Sequence, residues 1–522
     1  MRAFIQRHAS SVMGVLNGFD RIRFRGSFRW LSYPAGAGRY LSAIGVPLTR
    51  FKEFTQSVTA RMRESIEGVA RAAGRPVEYL AKPSISKEDY ARAIAERDGI
   101  REGLIAVLHA VEPCYSFRIG HERGTGHIEV ESALRKCTHC YSYWMDPQWG
   151  FCHVRIQTWL PFSVHICVNG REWLGLQMDR AGIAYRRQEN CFTWLQDVER
   201  AQALLDEQLR TNWGGSLAAL LHRSHPAYQK ILDLIPEADY YWSADATEWA
   251  SDVMFRSAAA LRGLYPQLIA HGIKNLGSRE VLRFLGRRVP AHGGINGQFE
   301  GEVTTDLRER PEGMRIKHRV NANAVKMYDK QGSVLRVETT INNTEDFKVF
   351  RRKEGDPRGG KDWRMLRKGV ADMHRRAQVS QAVNERYLES LAAVQETTPL
   401  GQLMEGLCRP VRWKQTRVRA LQPLSAGDAR LLEAVNRGEF VLNGFRNRDL
   451  RGILHGEPSD PAKAKKQSAA ITRQLRMLRA HGLIKKVSKT HRYILSGKGR
   501  TAITALMTAR AADTNKLTSA AA

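Results

Sequence analysis

The stretch from Arg315 to Glu338 brings a tyrosine, two carboxylates and several cations close together in the sequence. Tyr328 could attack phosphorus as a nucleophile, with Asp329 and Glu338 as carboxylate partners. A divalent cation held by carboxylates would neutralise the charge that develops during such an attack. The cations that would hold phosphate groups in this stretch are Arg315, Lys317 and Lys326.

The elements that would position these side chains are two strands and a turn. The segments 315–328 and 334–342 alternate in polarity and flank Asp329-Lys-Gln-Gly-Ser, a hairpin signal. Alternation places Lys326, Tyr328 and Lys330 on one face, where Arg336 and Glu338 of the next strand can join them. The alternative is a basic hairpin that only holds phosphates, with Arg336 and Glu338 as structural partners.

The sequence KMYDK…LRVE in this hairpin resembles a strand pair in the replication initiators of plasmids and filamentous-type phages. The resemblance implies strand nicking by a tyrosine nucleophile, Tyr328, helped by a divalent ion on Asp329 and Glu338. The sequence departs from many nicking enzymes because it lacks a His-x-His motif with hydrophobic flanks. The whole chain also resembles uncharacterised proteins of bacterial mobile elements.

A second carboxylate set lies at Asp245, Glu248 and Asp252. We predict a helix over 243–264, on which this i, i+3, i+7 spacing would present the three acids on one face. With Glu338 they could bind Mg²⁺ or Mn²⁺ for phosphodiester chemistry. The alternative is that acids at a helix start interact only with the helix dipole.

Cysteine usage predicts reduced thiols, because the seven cysteines are odd in number and sparse for this length. Cys137-Thr-His-Cys140 has zinc-like spacing, but Cys152 and His153 are adjacent and would point to opposite faces of a strand. We therefore expect buried thiols here rather than a Zn²⁺ site.

The segment Pro461–Arg500 carries twelve Lys or Arg and no Asp or Glu. Around it we predict helices at 425–438, 446–454 and 468–481, a hairpin over 483–487 and 492–495, and a helix at 501–511. Ser468 would be the N-cap of the third helix, and Ile471, Leu475 and Leu478 its buried stripe.

This order of elements resembles the winged-helix DNA-binding domains of bacterial regulators. The segment LRMLRAHGLIKKV…HRYILSGKGR also resembles them. The resemblance implies a recognition helix in the major groove and a wing against the neighbouring backbone. The alternative is a winged helix used for protein contacts. The residues that would contact nucleic acid are Arg473, Arg476, Arg479, Lys485, Lys486, Lys489 and Arg492.

Composition agrees with a nucleic-acid partner, because 82 Lys and Arg against 53 Asp and Glu give a formal charge of +29. DNA is the expected partner, with RNA as the alternative. Without an apolar run of about 18 residues or a signal peptide, we expect a cytoplasmic protein and no membrane partner. The competing functions are a metal-dependent nickase or nuclease of a mobile element, a non-catalytic DNA- or RNA-binding regulator, and an interaction protein.

The expected fold class is α+β: a large mixed body, a long connecting helix and a C-terminal winged helix. Predicted domains are 1–113, 114–350, 351–424 and 425–522, with a linker at 351–361 and the long helix at 362–395. Within the body, helices are predicted at 52–73 and 86–110, the second capped by Ser86, and one or two strands within 15–35.

Overall fold

The computed structural model confirms the α+β class. It describes residues 1–121, 124, 127–230, 239–286, 302–310, 313–353, 355–356, 358–392, 400–437, 440, 444–487 and 490–511. These form two compact units. Unit 1 comprises residues 1–13, 255–337 and 382–522, and unit 2 comprises residues 14–254 and 338–381. Among the described helices, none is long and apolar enough to cross a membrane.

The strands are extended segments of 3 to 19 residues. In chain order they are β1 (Val12–Ser27), β2 (Val77–Tyr79), β3 (Gly103–His121), β4 (Ile128–Asp146), β5 (Gly150–Gln157), β6 (Val164–Asn169), β7 (Tyr185–Gln188), β8 (Cys191–Leu195), β9 (Tyr241–Phe255), β10 (Val303–Arg310), β11 (Gly313–Val320), β12 (Asn323–Lys330), β13 (Val334–Ile341), β14 (Lys348–Arg351), β15 (Asp362–Met365), β16 (Val411–Trp413), β17 (Thr416–Val418), β18 (Ile484–Lys486) and β19 (Tyr493–Leu495).

The α-helices are 6 to 22 residues long. In chain order they are α1 (Arg2–Arg7), α2 (Pro34–Ala43), α3 (Phe51–Ala72), α4 (Lys87–Arg97), α5 (Gly170–Ala181), α6 (Val198–Gln208), α7 (Trp213–Ser224), α8 (Ala258–Lys274), α9 (Ser278–Phe284), α10 (Met373–Leu391), α11 (Leu400–Glu405), α12 (Ala426–Val435), α13 (Asn447–His455), α14 (Pro461–Ala480) and α15 (Gly497–Ala511). Short 3₁₀ turns lie at Arg29–Leu31, Leu48–Arg50, Tyr228–Lys230 and Val370–Asp372.

Unit 2 is built on a sheet in the order β13-β9-β1-β6-β5-β4-β3-β2, to which β13 contributes from Glu338 onward. β1 is antiparallel to β6. The pairs β3–β4, β4–β5 and β5–β6 are also antiparallel, whereas β2 runs parallel to β3. The strand predicted within 15–35 is confirmed as β1, whose Ile22 and Phe24 are fully buried. The helix predicted at 52–73 is confirmed as α3.

The helix predicted at 86–110 is confirmed only at its start. Ser86 accepts a hydrogen bond from the Asp89 amide, as a capping residue should, but α4 ends at Arg97. Residues 103–110 belong instead to β3, where they pair with β4. Their β-branched and aliphatic side chains are buried on both faces, and such a strand lacks the alternation that would distinguish it from a helix.

The prediction of a helix at 243–264 was wrong over the first half of this range. Residues 241–255 form β9, and a helix begins only at Ala258, after Ser257 has capped its amide ends. β9 lies between β13 and β1, so both of its edges are paired, and most of its residues are buried on both faces. The spacing of Asp245, Glu248 and Asp252 would fit a helical face, but on a strand it divides the acids between two faces.

Unit 1 contains strands β10, β11 and β12 in successive antiparallel hairpins. The single strand predicted over 315–328 was therefore wrong: β11 ends at Val320 and β12 begins at Asn323. The reversal occurs at Asn321, whose φ of 52° lies in the left-handed region that asparagine tolerates.

The C-terminal part of unit 1 contains α12, α13, α14, the β18–β19 hairpin and α15, which follow one another in the predicted order. The winged-helix assignment itself stays a resemblance. Ser468 is not an N-cap, because α14 already begins at Pro461. Its N-cap is Asp460, which accepts a hydrogen bond from the Lys463 amide. The buried stripe of Ile471, Leu475 and Leu478 is confirmed.

Residues 352–361 of the predicted linker lie between β14 and β15, and the helix predicted at 362–395 starts later than expected. β14 and β15 pair as a hairpin, with Phe350 opposite Trp363, and α10 begins only at Met373. Asp372, just before α10, is buried, and its carboxylate accepts hydrogen bonds from Arg367 and Arg375. Residues 393–395 of the predicted helix lie outside the described residues.

Candidate metal centre and nucleic-acid surface

Three carboxylates converge in unit 2: Asp20 from β1, Glu248 from β9 and Glu338 from β13. One oxygen atom of each lies within 4.8 Å of the other two. Asp20 and Glu338 are buried and Glu248 is half-buried. We call these three residues the carboxylate cluster.

The strand alternation explains why Asp20 and Glu248 share a face. Their neighbours Phe19 and Trp249 pack edge to face on the other side of the sheet, with ring centroids 4.9 Å apart. Because successive side chains of a strand point to opposite faces, the aromatic contact on one side places the two carboxylates together on the other.

Neutral amide groups orient Asp20. Its Oδ1 accepts a hydrogen bond from Asn169 Nδ2 at 3.0 Å, and its Oδ2 accepts one from Asn190 Nδ2 at 2.6 Å. Asn169 is itself held in place, because its Oδ1 accepts from the amides of Arg171 and Glu172 at the start of α5. Such donors fix a carboxylate in position without cancelling its charge, as the supporting residues around metal ligands do.

The cluster fits a hard divalent cation. Three oxygen atoms no more than 4.8 Å apart enclose a point within about 2.8 Å of each, which is 4.8 Å divided by √3. Mg²⁺ binds oxygen at about 2.1 Å, so a shift of well under 1 Å per side chain would complete three ligand bonds. All three donors are carboxylates, the ligand type that Mg²⁺ and Mn²⁺ prefer.

Two of the four residues predicted as metal ligands, Glu248 and Glu338, therefore lie in the cluster, and the other two lie elsewhere. Asp252 forms an ion pair with Arg171, 3.0 Å away. Asp245 points to the face of β9 opposite Glu248 and lies 3.5 Å from His165. Burial acts to raise the pKa of Asp245, but its hydrogen bond with His165 and the nearby arginines lower that pKa overall.

Asp20 is the cluster residue that the sequence prediction missed. The sequence did contain a signal for Asp20. It is the one acid within the β1 segment VMGVLNGFDRIRFRGS, whose other charged residues are arginines. Phe19, Ile22 and Phe24 around it are buried, and a carboxylate buried with them needs a polar partner, because a buried charge is costly.

Tyr328 and Asp329 occupy consecutive positions on β12 and so point to opposite faces of the strand. Tyr328 is only 8% exposed and lies directly across from Arg315. Burial raises the pKa of Asp329. The structure therefore places Tyr328 beside a cation and separates it from its predicted carboxylate partner Asp329.

The predicted phosphate-holding cations of the hairpin do come together. Lys317 lies across from Lys326, and Arg315 is two residues from Lys317 on the same face of β11. Burial and the charges of Lys326 and Arg315 lower the pKa of Lys317. An anion at this position would relieve that repulsion.

The C-terminal cations lie mostly on the surface. Arg473 and Arg476 of α14 are exposed on the side away from its buried stripe. Lys485 and Lys486 of β18 are also exposed, and Arg479 and Arg492 are partly exposed. Arg479 lies over the ring of Trp413 from the additional hairpin β16–β17, 4.9 Å from its centroid. Lys489 lies outside the described residues.

Cys137 and Cys140, whose spacing resembles that of zinc ligands, lie on opposite faces of β4. Cys137 and Cys140 are three residues apart on β4 and so point to opposite sides of the strand. Cys140 Sγ lies 3.6 Å from His109 Nδ1. Full burial raises the pKa of the Cys152 thiol, which favours its neutral form.

Comparison of the chain with protein-family models, with curated proteins and with solved structures gives no match in any of the three.

Proposed function

We propose that this protein binds DNA and acts on its phosphodiester bonds with a divalent cation held by Asp20, Glu248 and Glu338. The observation that carries the proposal is the convergence of three carboxylates from three strands in a chain of net charge +29. One oxygen atom of each acid lies within 4.8 Å of the other two. Mutual repulsion makes this arrangement costly, and a bound cation would offset the cost.

The chemistry of the cluster follows from its donors. A cation bound there would polarise a phosphoryl oxygen and lower the pKa of a bound water. Asp20, oriented by Asn169 and Asn190, would keep its ligand oxygen in place while substrate binds. Glu248 is the half-buried member and would be the ligand nearest to solvent and to an arriving phosphate.

The exposed cations of α14 and β18 support DNA binding. Four of them, Arg473, Arg476, Lys485 and Lys486, lie on the surface in a segment that contains no acid from Pro461 to Arg500. Each cation that neutralises a phosphate releases condensed counterions, which favours binding at low salt. Together with the resemblance to mobile-element proteins, this supports a role in replicating or processing the DNA of such an element.

A second candidate mechanism uses Tyr328 as the nucleophile. It is favoured by the position of Tyr328 directly across from Arg315, with Lys317 and Lys326 beside them. A guanidinium next to the phenol would stabilise its anionic form and the phosphate that it attacks. This mechanism requires Tyr328 to become more accessible than its 8% exposure.

The experiment that tests the proposal incubates the full chain with end-labelled single- and double-stranded DNA, with and without Mg²⁺ or Mn²⁺. Cleavage that needs the metal, that is lost in Asp20→Asn and Glu248→Gln, and that persists in Tyr328→Phe supports hydrolysis at the cluster. Glu96→Gln is the matched control, because Glu96 is an exposed glutamate of the same unit.

Two other outcomes would select different functions. A covalent protein–DNA adduct that Tyr328→Phe abolishes would select the tyrosine mechanism. Tight DNA binding without cleavage under any metal condition would select a non-catalytic regulator and overturn the catalytic half of the proposal.

A further inference from the structure

The β14–β15 hairpin of unit 2 displays large apolar side chains to solvent. Phe350 and Trp363 lie directly opposite each other, and Met365 lies next to Trp363 on the same face, opposite Lys348. All three apolar side chains are more than half exposed. The two rings are 5.7 Å apart between centroids and inclined at 53°.

The other side of the hairpin is attached to the body of unit 2. Val349 is buried between the exposed residues of β14, and Phe347 and Leu366 at the root of the hairpin are also buried. The Leu366 amide donates to the Phe347 carbonyl, which closes the hairpin at its base. The exposed rings are therefore the outer face of a fixed element.

Single exposed apolar residues are common on protein surfaces, but a contiguous group is informative. Among the described residues of the hairpin and its turn, exposed cations outnumber exposed acids, which are Asp356 and Asp362. The exposed cations of the hairpin and its turn are Lys348, Arg352, Lys353, Arg358 and Lys361. An aromatic platform bordered by cations matches a polynucleotide strand, whose bases stack on rings and whose phosphates pair with cations.

The geometry favours unpaired bases. In a duplex the base faces are covered by their neighbours, so rings on a protein surface cannot reach them without disrupting the stack. Because Phe350 and Trp363 are inclined to each other, each ring offers its own plane to a separate base. The hairpin is also connected to the cluster: β13, which carries Glu338, leads into β14 through residues 342–347.

We propose that the outer face of the β14–β15 hairpin binds single-stranded DNA by stacking bases on Phe350 and Trp363, with Lys348 and Lys361 beside the phosphates. This inference rests on the proposed DNA-binding function and deepens it by naming the strand state of the substrate. The platform would hold an unpaired strand on the unit that carries the carboxylate cluster.

The first test measures the affinity of the full chain, in EDTA, for a fluorescent oligothymidylate of about 20 nucleotides and for a duplex of the same length. Substitution of both Phe350 and Trp363 by alanine should weaken single-strand binding at least about 10-fold and change duplex binding less than about 2-fold. Trp194→Ala is the matched control, since Trp194 is a 40%-exposed tryptophan on the β7–β8 hairpin of the same unit, and it should leave both affinities unchanged.

The second test separates stacking from charge. Wild type should bind an abasic sugar–phosphate oligomer more weakly than oligothymidylate, and the Phe350/Trp363 double variant should no longer distinguish the two. The aromatic variant should keep the wild-type salt slope, whereas Lys348→Ala with Lys361→Ala should reduce it.

These tests distinguish failure of the aromatic platform from failure of the DNA-binding proposal. If wild type binds DNA but the double alanine variant binds single strands equally well, the platform is overturned and the DNA-binding proposal stands. If wild type binds neither form of DNA, the proposed function is overturned and the platform with it. Equal losses for duplex and single strand would also overturn the platform, because they would indicate a general contact.

Discussion

Arg171 and Asp252 form an ion pair that is almost completely removed from solvent. Arg171 Nη2 lies 3.0 Å from Asp252 Oδ2, and the two side chains are 0% and 1% exposed. Arg171 Nη2 also donates to the Ala250 carbonyl at 3.2 Å. Asp252 lies four residues after Glu248 on the same face of β9, so one strand face carries both a carboxylate of the cluster and a structural ion pair.

Asp252→Ala should destabilise the protein by about 3–5 kcal/mol, because it leaves the Arg171 charge buried without its partner. The free energy of unfolding from urea denaturation measures this. Replacement of both partners, Arg171→Met with Asp252→Leu, should cost less than the single change. If Asp252→Ala were as stable as the exposed-site control Glu96→Ala, the pair would have no structural role.

Mg²⁺ should raise the melting temperature of wild type through the carboxylate cluster. A ligand that binds only the folded state stabilises it by about 2.7 kcal/mol at 100 times its dissociation constant. Glu248→Gln and Asp20→Asn should abolish the Mg²⁺-dependent shift, since each removes one charged ligand. Thermal melts with Mg²⁺ and with EDTA test this, and a full shift in both variants would contradict metal binding at the cluster.

Arg473→Ala combined with Arg476→Ala should weaken DNA binding and flatten its salt dependence. Each lost phosphate contact reduces the slope of log K against log salt by about 0.9, so the double variant should lose about 2. Anisotropy titrations at several salt concentrations measure both quantities. Lys52→Ala with Arg101→Ala changes the net charge equally at exposed positions of unit 2 and should leave the slope unchanged.

His318 should make unit 1 less stable in acid. Burial lowers its pKa from 6.5 to about 4, and its ring contacts Thr305 Oγ1 and the Tyr387 hydroxyl. Between these pH values the unfolded chain binds a proton that the folded chain does not, so stability falls as the pH drops from 6.5 towards 4. The full loss from this group is about 3 kcal/mol.

His318→Gln should therefore show a shallower decline over this range, by up to about 1.4 kcal/mol per pH unit, even if it is less stable at neutral pH. Urea denaturation at a series of pH values provides the measurement. The exposed His491→Gln is the control and should retain the wild-type slope. Parallel curves for His318→Gln and wild type would contradict the assignment.

Gly444→Ala should loosen the C-terminal hairpin. Gly444 has a φ of 63°, and an added Cβ would lie 2.3 Å from the Tyr493 carbonyl oxygen. Its neighbour Phe445 forms two backbone hydrogen bonds with Tyr493. These bonds connect the β18–β19 hairpin to the segment that precedes α13. We expect a loss of more than about 1 kcal/mol and faster amide exchange at Phe445 and Tyr493.

Gly482→Ala is the control for backbone strain alone, because Gly482 has a φ of 74° and nothing within 4 Å of an added Cβ. It should destabilise less than Gly444→Ala. Equal effects of the two substitutions would mean that the close approach to Tyr493 has no energetic consequence.

Local patterns predicted the elements that depend on local contacts. The buried stripe of α14 and the capping of α4 by Ser86 follow from side chains within one or two helical turns, so they can be read from short windows. The α14 start was misplaced because two capping signals, Asp460 and Ser468, occur in one segment. The helix uses Asp460, which is followed by Pro461 at the first helical position, where proline is favoured.

β9 shows where local patterns mislead. Its acids have helical spacing, and its residues are buried on both faces, so no alternation indicates a strand. The pairing of this segment in the sheet overrides its local preference, and that pairing involves residues far away in the sequence.

The carboxylate cluster depends on the same long-range information. The amino-acid sequence by itself determined that Glu248 and Glu338 are acids in a basic chain, that Glu338 lies on a strand, and that Tyr328 has cations near it. Only the tertiary structure brought Asp20 to Glu248 and Glu338, which are 228 and 318 residues further along the chain. The physical reason is that strand order in a sheet is set by non-local hydrogen bonding and burial, and the order β13-β9-β1 leaves no signature in any short segment.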